Sequence, residues 1–120
     1  MRWISGIALL GLAAAVAPAA SAHHSPVMFD QTKTITLEGT VREFQWTNPH
    51  CYIQLVDTGG TEWSMEMGAP IYLMNRGWKK STLHAGDKIR ITGAPLRSGA
   101  NGGLVLDVVS LEGKPIGKVK

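Results

Sequence analysis

Apolar and polar residues alternate along several short stretches of this chain, and a period of two is typical of half-buried β-strands. In the first stretch Ile35, Leu37 and Val41 fall on one side, while threonine, glutamate and arginine residues fall on the other. This pattern and the apolar runs that follow it predict five strands, over residues 35–46, 50–57, 62–67, 88–93 and 104–111.

The first predicted strand contains two irregular positions. Phe44 and Trp46 fall on the parity opposite to Val41, so we expect either a bulge near Glu43 or a bend as the strand leaves the sheet to turn these aromatic side chains inward. Gly39 lies inside the strand and permits the sharp coiling that small barrels use at their corners.

One short helix is predicted over residues 71–78, with Pro70 at its start and Gly77 near its C-terminal cap. Five strands with a helix between the third and the fourth is the element order of an OB-fold. A β-sandwich, the alternative, usually has about seven strands. The predicted fold class is therefore mainly β, a small five-stranded OB-like barrel.

The chain begins with the features of a cleavable signal peptide. Arg2 supplies the positive charge, residues 4–16 are apolar, and Ala20-Ser21-Ala22 is a small-residue cleavage pattern. The apolar run is shorter than the roughly 20 residues that span a bilayer, which favours cleavage over an uncleaved anchor. We therefore expect a periplasmic or secreted protein with no stable membrane span after cleavage.

These features divide the chain into four segments. In the segment after the signal peptide, Val27, Met28 and Phe29 are apolar enough to hold an extended arm against the domain. We expect residues 94–103 to form a mobile loop. The predicted segments are a signal peptide at 1–22, an extended arm at 23–34, the OB-like barrel at 35–111 and a polar, frayed tail at 112–120.

Charge and cysteine content narrow the classes of function. The net charge is +3, but basic and acidic residues are interspersed, so the chain has no basic stripe that could follow a phosphate backbone. Nucleic acid is therefore not expected as a partner. The single cysteine, Cys51, forms no disulfide within the chain. Because neighbours in a strand point to opposite faces, Cys51 is expected to be a buried thiol that faces away from His50.

The most specific candidate chemistry is at the predicted cleavage site. Cleavage after Ala22 would make His23 the first residue, with a free α-amino group beside its imidazole. Copper(II) prefers nitrogen donors, and His50 at the start of the second strand is the candidate for a third nitrogen, with His24 as its competitor. The alternative is that His23 and His24 are merely solvated and that His50 caps the Asn48-Pro49 turn.

Three further residues need an interpretation. Met65 and Met67 share a face with Trp63, which favours a role in the core over a soft copper(I) site. Glu66, on the other face, is a candidate for a carboxylate ligand or for a hydrogen-bond acceptor from a metal-bound imidazole.

The sequence contains no paired carboxylates, no nucleophile–base spacing and no phosphate-binding glycine loop, so an enzyme is not predicted. A copper-dependent oxidase or oxygenase ranks below the non-enzymatic hypotheses.

Several motifs together resemble a family of small exported bacterial proteins known only as a domain of unknown function. The resemblance covers essentially all of the chain after the leader, and it implies an exported, barrel-like single domain with no assigned reaction. Cys51 stands where the resemblance would suggest alanine or another small residue. The motifs are His23-His24-Ser25, Phe29-Asp30, Leu37-x-Gly39-x-Val41, Phe44-x-Trp46-x-Asn48-Pro49-His50, Gly77-Trp78, Gly86-Asp87 and Leu96-Arg97.

Two functional hypotheses follow. The first is an exported accessory protein that binds one copper ion through His23 and His50 and serves a periplasmic metalloprotein or another protein partner. The second is a metal-free module that uses the barrel face around Tyr52 and Gln54 to bind a partner protein or a small ligand.

Overall fold

The computed structural model describes residues 26–119, and these form the predicted type of fold. A short 3₁₀ helix, Pro26–Met28, precedes the barrel, and one α-helix follows the third strand. The barrel elements are β1 (Ile35–Gln45), β2 (Tyr52–Asp57), β3 (Glu62–Glu66), α1 (Pro70–Met74), β4 (Lys88–Pro95) and β5 (Gly102–Ser110).

The five strands close into a barrel in the order β1-β2-β3-β5-β4. All neighbouring strands are antiparallel except β3 and β5, which run parallel and place Met65 opposite Gly103. The pairing of β4 with β1 completes the closure, with Ile91 opposite Leu37. This connectivity confirms the OB-like barrel that the element order predicts.

The irregular positions of β1 lie where the sequence predicts them. The register with β2 shifts between Val41 and Glu43, so a bulge is present. Beyond it, Phe44 packs against the core with its ring centroid 5.8 Å from that of Trp78. A Cβ atom on Gly39 would overlap the carbonyl oxygen of Val56, so only glycine fits where β1 passes this close to β2.

The core is formed by the inward-facing residues of all five strands. Cys51, Ile53 and Leu55 are buried as the alternation predicts, and Met65 and Met67 lie in the same core. Trp78, which follows α1, is also buried, and it donates a hydrogen bond from Nε1 to the carbonyl oxygen of Lys118 at 2.9 Å.

The helix is shorter than predicted because a glycine cap closes it early. Gly77 has a φ of 89°, and the N–H groups of Gly77 and Trp78 donate to the carbonyl oxygens of Met74 and Leu73, respectively. These two bonds form a Schellman motif, which satisfies the last carbonyl groups of a helix.

The expectation of a frayed tail is wrong, and the bounds of one expected loop differ. Most of the tail is docked, since Pro115 pairs with Val109 and the N–H of Ile116 donates to Val108 at 2.9 Å. Its two apolar residues, Ile116 and Val119, pack against the core, and that contact explains why the tail is not frayed. The expected loop at 94–103 is also shorter, because β4 and β5 extend into it.

The predicted signal peptide lies outside the described residues. Between residues 26 and 119 no helix is long and apolar enough to cross a membrane.

Candidate functional site

The candidate site lies on the outer face of β2 and β3. Tyr52 and Glu66 are directly paired across these strands, and the Tyr52 hydroxyl donates a hydrogen bond of 2.9 Å to Glu66 Oε1. Glu66 is only 6% exposed, and it is the only charged residue between positions 26 and 119 that is buried. A buried carboxylate is costly unless it is well partnered, so its surroundings indicate a specific role.

His50 lies two residues before β2 and next to the same carboxylate. The turn before it contains a cis Asn48–Pro49 peptide, and the Thr47 hydroxyl donates to the His50 carbonyl oxygen at 2.7 Å. The strand pairing continues at Cys51, whose carbonyl oxygen accepts from the Met67 N–H at 2.8 Å. These backbone contacts place His50 Nδ1 3.2 Å from Glu66 Oε1.

Glu66 Oε1 lies where it would attract a proton on His50 Nδ1, an arrangement in which Nε2 is the nitrogen suited to a metal ion. The side chain of His50 is about one-third exposed (32%), which leaves part of the ring accessible. His50 is therefore a candidate metal ligand with Glu66 beside its ring.

The N-terminal arm covers the site. Phe29 is 4% exposed and pairs with Leu96 after β4. Arg97 holds the same segment twice, since its N–H donates to the Met28 carbonyl oxygen and its side-chain Nε donates to that of Val27, both at 2.9 Å. The arm from Pro26 onward is thus fixed beside the outer face of the barrel, where Phe29 and Glu66 line the same cavities.

Two cavities lie between the arm and the barrel, and Phe29 and Glu66 line both of them. The first, here called the His50 cavity, has a volume of about 160 Å³ and is also lined by Pro26, His50 and Met67. The second, the Tyr52 cavity, has a volume of about 280 Å³. Its other walls are the outer face of β2 and β3 and the turn between β4 and β5.

Burial keeps two nearby acidic groups protonated. It raises the pKa of Tyr52 to about 12, and the hydrogen bond to Glu66 and the charge of that residue act in the same direction. Tyr52 is therefore a neutral hydrogen-bond donor at physiological pH. Burial also raises the pKa of the Cys51 thiol, so Cys51 is neither a reactive nucleophile nor a ready metal ligand.

Of the other residues that the sequence analysis singled out, only some lie at this site. His23 and His24 lie outside the described residues, and within the described part of the chain no three or more His, Cys, Asp or Glu side chains form a metal-binding group. Gln54 contacts Gln45 and Ser64, farther along the sheet. Met67 lines the His50 cavity, whereas Met65 lies near the buried glycines Gly93 and Gly103.

The pairing of Tyr52 with Glu66 was not predicted, although the sequence contains the signal for it. The turn at Thr58-Gly59-Gly60 places Asp57 opposite Thr61, and counting outward from that pair brings Tyr52 opposite Glu66. The cover formed by the arm has no comparable local signal, because it depends on contacts with residues about 70 positions away.

Comparison with known proteins identifies a family but no activity. Among curated proteins none matches the chain significantly. The sequence model of a family of unknown function, DUF6152, matches residues 11–106, which is most of the chain and includes the arm, His50, Tyr52 and Glu66. The chain therefore belongs to the family of unknown function DUF6152.

Proposed function

We propose that this protein is an exported copper-binding accessory protein, in which His50 Nε2 and the amine and imidazole of a mature N-terminal His23 hold one copper ion. The observation that carries the proposal is that Pro26 lines the same cavity as His50 and Glu66. The arm thus leads the start of the described chain to the imidazole that the sequence selects as the third nitrogen donor.

The length of chain between His23 and Pro26 is compatible with this site. His23 is three residues before Pro26, and three residues span at most about 10 Å. The arm is fixed at Phe29 and Arg97, which limits the entropy that would be lost when its end binds a metal. His24 lies within the same reach and is the competing ligand.

The chemistry of the donors favours copper(II). Two imidazoles and one amine supply three nitrogens, and copper(II) binds such sets more tightly than the other common divalent ions. A carboxylate behind a metal-bound imidazole fixes the ring and makes it a better donor. Glu66 is suited to that role, and its substitution would weaken copper binding without removing a ligand.

The proposed biological role is storage or delivery of copper, or assembly of a periplasmic metalloprotein. Export to the periplasm or beyond the cell rests on the predicted signal peptide at 1–22. A copper-dependent oxidase or oxygenase would need a substrate beside the metal and ranks below the accessory role.

The test begins with the mass of the mature chain exported by a bacterial host, followed by copper(II) titration and electron paramagnetic resonance. We expect a chain that starts at His23 and binds one copper ion with a nitrogen-rich signal. His50→Ala and an extra alanine before His23 should each lower the affinity at least tenfold. His84→Ala is the matched control, because His84 is an exposed histidine in the connector before β4 and lines neither cavity of the site.

Equal copper affinity in the variant with the additional N-terminal alanine would overturn the proposed ligand set. Equal affinity in His50→Ala would remove His50 from the site.

The alternative function is a metal-free module that binds a protein or a small ligand on the barrel face. The Tyr52 cavity is the observation that favours it. Under this alternative His23→Ala leaves ligand binding unchanged, whereas substitution of Tyr52 weakens it. Recovery of a partner only in the presence of copper would contradict it.

A further inference from the structure

The Tyr52 cavity combines apolar walls with one carboxylate. Met28 and Phe29 of the arm form one wall, Leu96 forms another, and Tyr52, Ser64 and Glu66 form the floor. No lysine, arginine or histidine between positions 26 and 119 lines this cavity, so it offers no charge that would hold an anion. Its volume of about 280 Å³ is just below the ~300–1,000 Å³ typical of ligand sites, which restricts the occupant to a small molecule.

Glu66 retains an acceptor for a ligand. Its side chain is more than nine-tenths buried, with 8% exposed. Within residues 26–119 both contacts of the carboxylate, with Tyr52 and with His50, are made through Oε1, and neither engages Oε2. A charge in apolar surroundings is stabilised by an opposite charge that can also donate hydrogen bonds.

We propose that the Tyr52 cavity binds a small organic ammonium ion with an apolar body, whose ammonium group donates to Glu66 Oε2. The rings of Phe29 and Tyr52 line the same space and supply apolar contact, and aromatic faces also attract cations. This ligand class matches the single carboxylate and the apolar walls together. The proposal rests on this cavity and is independent of copper binding.

The arm explains why the ligand is small. OB-folds bind extended oligomers across the face of strands 2 and 3, between the loops after β1 and β4. Here that face carries Tyr52 and Glu66, but the arm is fixed across it by the pairing of Phe29 with Leu96. An open groove has thus become a pair of cavities, and a polymer has no continuous path across the sheet.

The test uses the mature, metal-free chain and amide chemical shifts in ¹⁵N-labelled protein. Benzylammonium is the ligand tested, benzyl alcohol is its uncharged counterpart, and benzoate carries the opposite charge. We expect benzylammonium to shift the amides of Ser64, Asn101 and Gly102, and to bind at least tenfold more tightly than either control compound. Glu66→Gln, which keeps the shape of the side chain and removes its charge, should weaken benzylammonium at least tenfold.

Two further variants separate this site from the copper site. Ala100→Phe, in the exposed turn that lines the cavity, should block benzylammonium and leave copper affinity unchanged. His50→Ala should lower copper affinity, whereas benzylammonium should still shift the amides of Ser64, Asn101 and Gly102. No binding of benzylammonium at 10 mM, equal binding of benzyl alcohol, or equal binding by Glu66→Gln would each overturn the proposal. None of these outcomes bears on copper binding by the wild-type chain.

Discussion

Tyr52 and Glu66 face each other across β2 and β3, and the phenol donates a 2.9 Å hydrogen bond to the carboxylate. The same carboxylate oxygen lies 3.2 Å from His50 Nδ1. One buried acid therefore connects a residue on the floor of the Tyr52 cavity with the candidate metal ligand. A change at Tyr52 is expected to affect the orientation of His50 through Glu66.

Tyr52→Phe tests this connection through stability at high pH. The variant loses one partly buried hydrogen bond and should be destabilised by about 1 kcal/mol at pH 7 in urea unfolding. The pKa of Tyr52 is raised from 10.0 to about 12, so the folded state favours the neutral phenol. That contribution to stability is complete below pH 10 and is lost as the pH rises toward 12.

Unfolding of the wild type between pH 9 and 12 should therefore show a decline that is reduced in Tyr52→Phe. Tyr72→Phe is the matched control, because Tyr72 is 62% exposed. An identical decline in wild type and Tyr52→Phe would contradict this role for Tyr52.

Phe29→Ala tests whether the arm preorganises the copper site. Removal of a buried phenylalanine costs about 3–5 kcal/mol where the side chain is fully packed, and here the cost falls on docking of the arm. We expect copper affinity to fall at least tenfold, although the variant changes no ligand. Titration of wild type, Phe29→Ala and Val27→Ala provides the comparison, since the Val27 side chain is 71% exposed. Unchanged affinity in Phe29→Ala would show that the arm does not contribute to the site.

Asp57 should make the barrel sensitive to acid. The Trp63 Nε1–H donates to its carboxylate at 2.9 Å, the N–H groups of Thr61 and Gly59 donate as well, and these bonds lower the pKa of Asp57 below its ordinary 3.8. A lowered pKa contributes stability that is present above pH 3.8 and is lost as the pH falls through the value in the folded state.

Asp57→Asn should accordingly be less stable than the wild type at pH 7, and the difference should shrink below pH 3.8. Thermal unfolding from pH 2 to 7 measures it, with Asp107→Asn as a control at an exposed strand position. A difference that stays constant over this range would exclude the proposed role of the ionised carboxylate.

Gly39→Ala should destabilise the barrel at the position where β1 pairs with both β2 and β4. The added Cβ would overlap the Val56 carbonyl oxygen, so the two strands must separate locally, at a cost of about 1–3 kcal/mol. Gly68→Ala is a suitable control, because its Cβ would meet only the Tyr72 Cβ at 3.9 Å, an ordinary contact. Equal stability of the two variants in urea would contradict the close approach at Gly39.

The sequence was informative about the barrel because its determinants are local. Period-two alternation predicts which side of each strand is buried, and the parity change at Phe44 predicts the bulge in β1. Strand ends were less accurate. β4 continues to Pro95 because residues of β5 remain available to pair with it, and that depends on the partner strand.

The candidate site was only partly predictable, because it too depends on contacts between residues that are distant in sequence. His50 and Glu66 were selected by residue type, and the structure brings them within 3.2 Å. Glu66 shares two cavities with Phe29 of the arm, which is held by residues far away in sequence, and alternation alone assigned Glu66 to an open face. Copper binding by His23 and His24 stays a prediction, because both lie outside residues 26–119.

The position of Cys51 makes this cysteine a natural reporter of unfolding. Its side chain is fully buried, so a thiol reagent reaches it only when the surrounding strands open, and the labelling rate measures how often they do. If the protein functions in an oxidising compartment, the same burial protects the chain from intermolecular disulfides. Only molecules that fail to fold, or that unfold, would then be crosslinked through Cys51.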